Sequence, residues 1–293
     1  MPDQPRPRPS PKPAWLRRPL APAAGRLRAS LKGLHTVCQE AHCPNRAECH
    51  ARGEAAFLLL GPACTRACAF CAVDKSAPAP PDPGEADRVA AAVRDLGLGY
   101  CVLTMVSRDD LADGGAGAMA AAIRAVRREN PGIQVEALVS DLGGDAAALA
   151  TVLAAGPAVL NHNLETAPRL YAAVRPQADY DRSLTLLARA RRLAPHLPTK
   201  SGLMLGLGEE TAEVIAVMDD LLAAGVGILT LGQYLAPSPA HHPVARYLPP
   251  EEFEALGREA RRRGFAGVAS APLVRSSHQA GALFAGLAGA PAD

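Results

Sequence analysis

Six of the seven cysteines in this 293-residue chain fall between Cys38 and Cys71, in two groups of three. The second group, Cys64-Thr65-Arg66-Ala67-Cys68-Ala69-Phe70-Cys71, has the spacing C-x3-C-x2-C. Three thiolates this close on one loop can each hold one iron of a [4Fe–4S] cube, which leaves the fourth iron without a protein ligand. An iron in that state can be chelated by the amine and carboxylate of a small molecule. The alternative is a zinc site of three cysteines and a histidine, but zinc ribbons prefer paired C-x2-C knuckles and no such pair occurs here. The first group, Cys38, Cys43 and Cys49, has the spacing C-x4-C-x5-C. Alone it is ambiguous, because His35, His42 and His50 lie nearby and can complete a zinc site. A lone histidine is more often a surface residue, so all three stay outside the ligand set. Cys101 sits in the apolar run Tyr100–Val106 and reads as a small core hydrophobe.

The composition does not compete with this reading. Hydrophobic residues make up 48% and charged residues 20%, as in a globular chain with a substantial core. No apolar run approaches the roughly 18 residues of a membrane span, so none is expected. Disulfide frameworks belong mostly to short secreted chains, whereas clustered cysteines in a chain of this length point to metal or redox chemistry and to the cytoplasm. The net charge of +2 hides an asymmetry: residues 1–32 hold eight basic side chains against one acid, leaving 23 basic and 28 acidic residues beyond them. Residues 1–29 therefore read as a basic, Pro/Arg-rich arm, partly disordered. Only Trp15 interrupts its basic run, so the aromatic platform of a single-strand binder is missing and no nucleic-acid partner is expected. The prolines at 2, 5, 7, 9, 11 and 13 argue against an amphipathic targeting helix.

From residue 56 onward, strand-like and helix-like patterns alternate. Strands are predicted at 57–61, 100–106, 133–139, 158–161, 201–205 and 227–233, and a short apolar run follows at 265–269. Helices are predicted at 84–96, 113–129, 145–154, 180–194, 209–223 and 250–263. Six or so βα units imply a parallel sheet covered by helices, either an open doubly wound sheet or a full or partial barrel. No G-x-G-x-x-G follows the first strand, which weakens the dinucleotide-binding version. The second cysteine group falls in the loop after the first strand, where barrels carry their chemistry.

The C-x3-C-x2-C run, with Phe70 just before its third cysteine, resembles the signature of the radical S-adenosylmethionine (SAM) superfamily. The two triads in this order resemble those of the lipoyl synthases. The segments LHTVCQEAHCPNRAEC, LTMVSRDDLADGGA, NHNLETAPRLYAAVRPQADYDRSL, KSGLMLGLGE and GQYLAPSPAHHPVARYLPPEEF are similar to further blocks of that family. The likeness runs from about Trp15 to Ala280. Arg275-Ser276-Ser277 resembles the start of the family's Arg-Ser-Ser-Tyr motif. His278 stands where the family has tyrosine, so that position either only packs or marks a divergent paralogue.

The resemblance implies an α/β fold, a partial parallel (β/α)6-type barrel of the radical SAM kind with N-terminal and C-terminal extensions. The barrel would span 56–264, preceded by an auxiliary-cluster segment at 30–55 and followed by a C-terminal segment, 265–293, that completes the auxiliary site. It further implies two [4Fe–4S] clusters: one held by Cys64, Cys68 and Cys71 that binds SAM, and a sacrificial one held by Cys38, Cys43, Cys49 and Ser277, with Ser276 as second choice and Arg275 organising the site. Asn161, Asn163, Glu165, Lys200 and Ser201, near predicted strand ends, are the candidates for SAM. Asp109 and Asp110 read as a structural acid pair. The implied reaction inserts sulfur at C6 and C8 of an octanoyl chain on a lysine of a lipoyl carrier domain, from a 2-oxoacid dehydrogenase or the glycine cleavage H protein. Each of the two C–H bonds consumes one SAM through a 5′-deoxyadenosyl radical. Flavodoxin or ferredoxin would supply electrons, and an iron–sulfur carrier would rebuild the auxiliary cluster.

Overall fold

Strands read from near-continuous apolar runs must be covered on both faces, which requires helices between them. The computed structural model describes residues 11–17, 31–52 and 54–288. Its strands are β1 (His35–Thr36), β2 (Ala56–Leu59), β3 (Tyr100–Met105), β4 (Gln134–Leu138), β5 (Val159–Asn161), β6 (Thr199–Leu205), β7 (Ile228–Gln233) and β8 (Gly267–Ser270). The helices are α1 (Val37–Glu40), α2 (Arg46–Ala51), α3 (Glu85–Asp95), α4 (Ala116–Glu129), α5 (Ala146–Ala154), α6 (Tyr171–Val174), α7 (Tyr180–Leu193), α8 (Thr211–Ala223), α9 (Pro250–Arg263) and α10 (Ala280–Ala288).

All eight strands form one sheet in chain order. β1 runs antiparallel to β2, and every later neighbour is parallel. Each crossover steps to the next strand in the same direction, whereas a doubly wound sheet reverses at a switch point. Sequential order therefore selects the barrel from the arrangements that the pattern left open. No pair joins β8 to β1 or β2 among the described residues, so the barrel is partial. The strands β2 to β7, each followed by a helix, make six βα units.

Local chemistry explains the boundaries. Asp145 caps α5 by accepting from the backbone N–H of Ala147 at 2.7 Å, and Asp179 caps α7 by accepting from that of Arg182 at 2.7 Å. Pro250 opens α9 and Gly264, at φ 113°, closes it in the left-handed conformation. Phe57, Leu103, Leu160 and Leu231 from the strands pack with Ile123, Leu149, Met218 and Phe253 from the helices. Each such side chain contributes about 1.5–3 kcal/mol on burial.

Three readings change. The parallel sheet does not stop at 264, because β8 pairs with β7 from Ile228↔Gly267 to Leu231↔Ser270, so a backbone ladder crosses the expected boundary. The 30–55 segment, in which no strand or helix was predicted, joins the sheet through β1 and carries two of its cysteines on short helices. Of the basic arm, residues 1–10 and 18–29 lie outside the described residues, and so does its reading as disordered. Pro11–Arg17 is described: Leu16 is fully buried there, and Lys12 reaches the central cavity.

Candidate functional site

The loop after β2 carries Cys64, Cys68 and Cys71. It starts with Leu60 and Gly61 at φ 69° and 83°, and the Leu60 N–H donates to Glu85 Oε2 at 2.9 Å. Backbone bonds then tie it down: Cys64 N–H to Asp74 O (2.8 Å), Thr65 N–H to Ser107 O (3.1 Å) and Ala69 N–H to Val174 O (2.8 Å). Arg66, the middle residue of the x3 spacer, is the central anchor. Its guanidinium donates to both oxygens of Asp109, at 2.9 and 2.6 Å, and to both of Asp141, at 2.8 and 2.6 Å. Burial alone would raise the Asp141 carboxyl, but the bonds and charge of Arg66, with the charge of Arg182, hold it well below the usual carboxylate range. One side chain thus pins the loops after β2, β3 and β4 to each other. Asp109 serves that pinning, and Asp110 pairs with Arg108 at 2.8 Å. From the other side, His242 N–H donates to Ala69 O at 2.8 Å and His241 Nε2 donates to Cys71 O at 3.2 Å.

The first triad is built differently. Thr36 caps α1, which carries Cys38, and Cys49 rides on α2; both are buried. Cys43 lies on the turn between them, and its N–H donates to Cys38 O at 3.2 Å. Between Cys43 and Cys49, the buried Asn45 donates from Nδ2 to Leu273 O at 2.6 Å. That bond spans 228 residues and docks the turn Arg275-Ser276-Ser277 beside the triad. Arg275 lies within electrostatic reach of Cys43 and Glu165. Burial pushes the thiols of Cys38 and Cys71 up to about 11 and that of Cys49 to about 12, each with neighbouring cysteines adding to the rise.

Both groups open on one cavity of about 480 Å³ at the C-terminal ends of the strands, where barrels place their sites. Cys38, Cys43 and Cys71 line it, together with Arg275, Ser276 and Ser277. Asn163 and Glu165, after β5, form part of its wall; Asn163 Nδ2 donates to Glu165 Oε1 at 3.1 Å. Burial raises the Glu165 carboxyl, opposed by the Arg175 charge and the Asn163 bond. Burial also raises the Cys68 thiol, again opposed by Arg175.

A profile of the radical SAM superfamily matches residues 58–221. A lipoyl synthase of Geobacter sp. (strain M21) is 55% identical over 275 residues, covering 92% of this chain and 93% of that one. A lipoyl synthase of Citrifermentans bemidjiense is 56% identical over 275 residues, with the same coverage. This chain belongs to the lipoyl synthase family. Among solved structures, that of methylornithine synthase aligns with a TM-score of 0.58 at 15% identity, over 72% of this chain and 62% of that one, a likeness of fold.

A lipoyl synthase is a sulfur-inserting enzyme of the radical SAM superfamily that works with [4Fe–4S] clusters and SAM, and the residues present suit those groups. All six cysteines are free thiols. Among the described residues no three His, Cys, Asp or Glu side chains converge on a single ion, whereas a cube of four irons takes its thiolates from farther apart. His162 Nε2 and Arg175 Nε, both on residues of the cavity wall beside Asn163, are buried with no hydrogen-bond partner among the described residues. A polar ligand suits that wall.

Of the five SAM candidates, the structure brings Asn163 and Glu165 to the cavity and leaves out Asn161, Lys200 and Ser201. The last two stand at the N-terminal start of β6, away from the mouth where ligands bind. Lys200 is spent on Glu136, and so is Asn161; the Ser201 hydroxyl accepts from the Leu164 N–H at 3.3 Å. Sequence reading missed Arg66, Asn45, Glu136 and Arg175. Arg66 stood inside the recognised motif as a spacer. Asn45 and Glu136 show their roles only through partners far along the chain, and Arg175 through carbonyls 11 and 12 residues before it that the fold turns toward it.

Proposed function

We propose that Cys64, Cys68 and Cys71 hold the SAM-binding cluster, and that Cys38, Cys43, Cys49 and Ser277 hold the auxiliary, sacrificial one. The observation that supports this most is that cysteines of both triads and Ser277 wall a single cavity. When bound, the clusters supply the electron that splits SAM and the two sulfur atoms placed at C6 and C8 of the octanoyl chain. Asn163 and Glu165 bind SAM, their short polar side chains facing its ribose hydroxyls and amino-acid group, while Arg175 holds the loop beneath them through bonds to Asn163 O and Leu164 O at 3.1 and 2.9 Å. Arg275 organises the auxiliary side, next to Cys43. Val102, Leu203, Met204 and Leu235 give the cavity an apolar wall along which the octanoyl chain lies away from water.

The substrate is an octanoylated carrier protein: a lipoyl carrier domain of a 2-oxoacid dehydrogenase or the glycine cleavage H protein. Flavodoxin or ferredoxin donates the electrons, an iron–sulfur carrier rebuilds the auxiliary cluster, and the enzyme works in the cytoplasm. No described helix is long and apolar enough to cross a membrane. Anaerobic incubation with SAM, dithionite and an octanoyl-lysine peptide tests the reading, and lipoyl-lysine is the expected product. Formation of 5′-deoxyadenosine with no sulfur in the peptide overturns it. Two cubes also require about eight irons per chain; zinc in their place refutes both cluster assignments.

A further inference from the structure

Beneath the cavity lies a polar network that the reaction as read above does not use. Glu136 of β4 and Lys200 of β6 form an ion pair whose side chains are each 1% exposed. Asn161 Nδ2 donates to Glu136 Oε1 at 2.7 Å, and the Tyr100 hydroxyl donates to Oε2 at 2.7 Å. Lys200 Nζ donates to the two Glu136 oxygens at 2.9 and 3.0 Å, and to the backbone carbonyl of Ser276 at 2.6 Å. Those contacts match the three protons of an ammonium.

A buried ion pair is weak evidence for stability, because apolar side chains of similar volume often do as well. Apolar side chains cannot hold a carbonyl, and the carbonyl held here belongs to the peptide that joins Ser276 to Ser277. Since that peptide is planar, fixing its oxygen also fixes the direction in which Ser277 leaves it. The rest of the turn is gripped as closely. Asn45 holds the Leu273 carbonyl, and Gly232 has no Cβ at the place where the Val274 carbonyl approaches. The Ser276 hydroxyl donates to Asn163 Oδ1 at 3.0 Å, so of the two hydroxyls only that of Ser277 has no hydrogen bond among the described residues.

We infer that Lys200 is a positioning residue for Ser277: its bond to the Ser276 carbonyl aims the Ser277 hydroxyl at the auxiliary cysteines. The inference rests on the reading of Ser277 as a cluster ligand. Lys200→Met alone would strand a buried carboxylate, so the informative pair is Glu136→Gln and Glu136→Gln/Lys200→Met. Both remove the ion pair, but only the second removes the donor to Ser276.

In the iron-loaded full chain, hydrogen exchange at the amides of Val274 and His278, which close the turn, is expected to quicken about tenfold or more in the double variant. Glu136→Gln leaves the buried ammonium without its carboxylate, at a cost of its own. Exchange at the turn is therefore read relative to the slowest amides of the same variant, and that ratio should stay near wild type in Glu136→Gln and rise only in the double variant. Mössbauer spectra are expected to show an iron subsite that is present in wild type and Glu136→Gln, and altered in both Ser277→Ala and the double variant. If the two network variants behave alike, loosened or not, the positioning role is overturned. If wild type and Ser277→Ala give the same spectrum, the ligand reading falls and the inference with it, whatever the exchange shows.

Discussion

Replacing Arg66 with methionine tests how the C-x3-C-x2-C loop is held, and the structure sets the size of the effect. Arg66 and Asp141 have side chains 6% and 1% exposed, so their pair is buried. Removing one partner of a buried pair costs about 3–5 kcal/mol. Asp141 keeps Arg182 at 2.8 Å, which puts the loss at the lower end. Asp109 is 43% exposed, and its share is below about 1 kcal/mol. The expected total is about 3–4 kcal/mol, or a fall in Tm of about 5–7 °C for a chain of this size. Thermal unfolding followed by circular dichroism, at matched iron content, measures it.

The pH dependence supplies a second reading. The folded Asp141 carboxyl lies below its unfolded value, so its stabilisation is fully present above that value and is lost as pH falls toward the folded one. The gap between wild type and variant should therefore be complete near neutrality and close below about pH 4. A gap under about 1 kcal/mol at neutral pH, or one that persists unchanged into acid, would refute the anchoring role.

Further outcomes follow from other side chains. Burial, helped by the Arg175 charge, pushes the His162 imidazole from 6.5 down to about 4. The unfolded chain then binds the extra proton between those values, so wild type should lose about 3 kcal/mol as pH falls through that window, and denaturant titrations of His162→Gln should lack this slope. Gly232→Ala would drive a methyl into the Val274 carbonyl, at a cost of about 1–3 kcal/mol, and should speed loss of auxiliary iron to a chelator. A loss rate equal to wild type would show that the turn does not depend on that close approach. Glu165→Gln should weaken SAM binding about tenfold or more by calorimetry; unchanged affinity would remove Glu165 from the SAM site. Cys68→Ala should leave about four of eight irons and no 5′-deoxyadenosine, whereas full iron content would overturn its assignment.

What could be read from the sequence was local. The C-x3-C-x2-C motif was legible because its three thiols share one loop of eight residues, so spacing alone constrains their geometry. The strands and helices were legible because apolar periodicity is set by each element's own burial, and most of the predicted edges lie within two or three residues of those observed. The choice of a barrel came from the family resemblance and not from the periodicity, because an open sheet and a barrel share one alternation and differ only in which strands pair.

The same limit explains the site residues. Asn163 and Glu165 were found together with Asn161, Lys200 and Ser201 because all five are polar residues near predicted strand ends. Tertiary structure separated them: β6 begins earlier than predicted, which puts Lys200 inside the strand, and Glu136, 64 residues away, takes its ammonium. Arg66 and Asn45 owe their parts to Asp141 and Leu273, 75 and 228 residues distant. The sequence by itself determined where the thiols cluster, since they are scarce and their spacing is covalent. Only the fold decided what holds them in place, because a hydrogen bond or ion pair exists only between groups that the folded chain brings together.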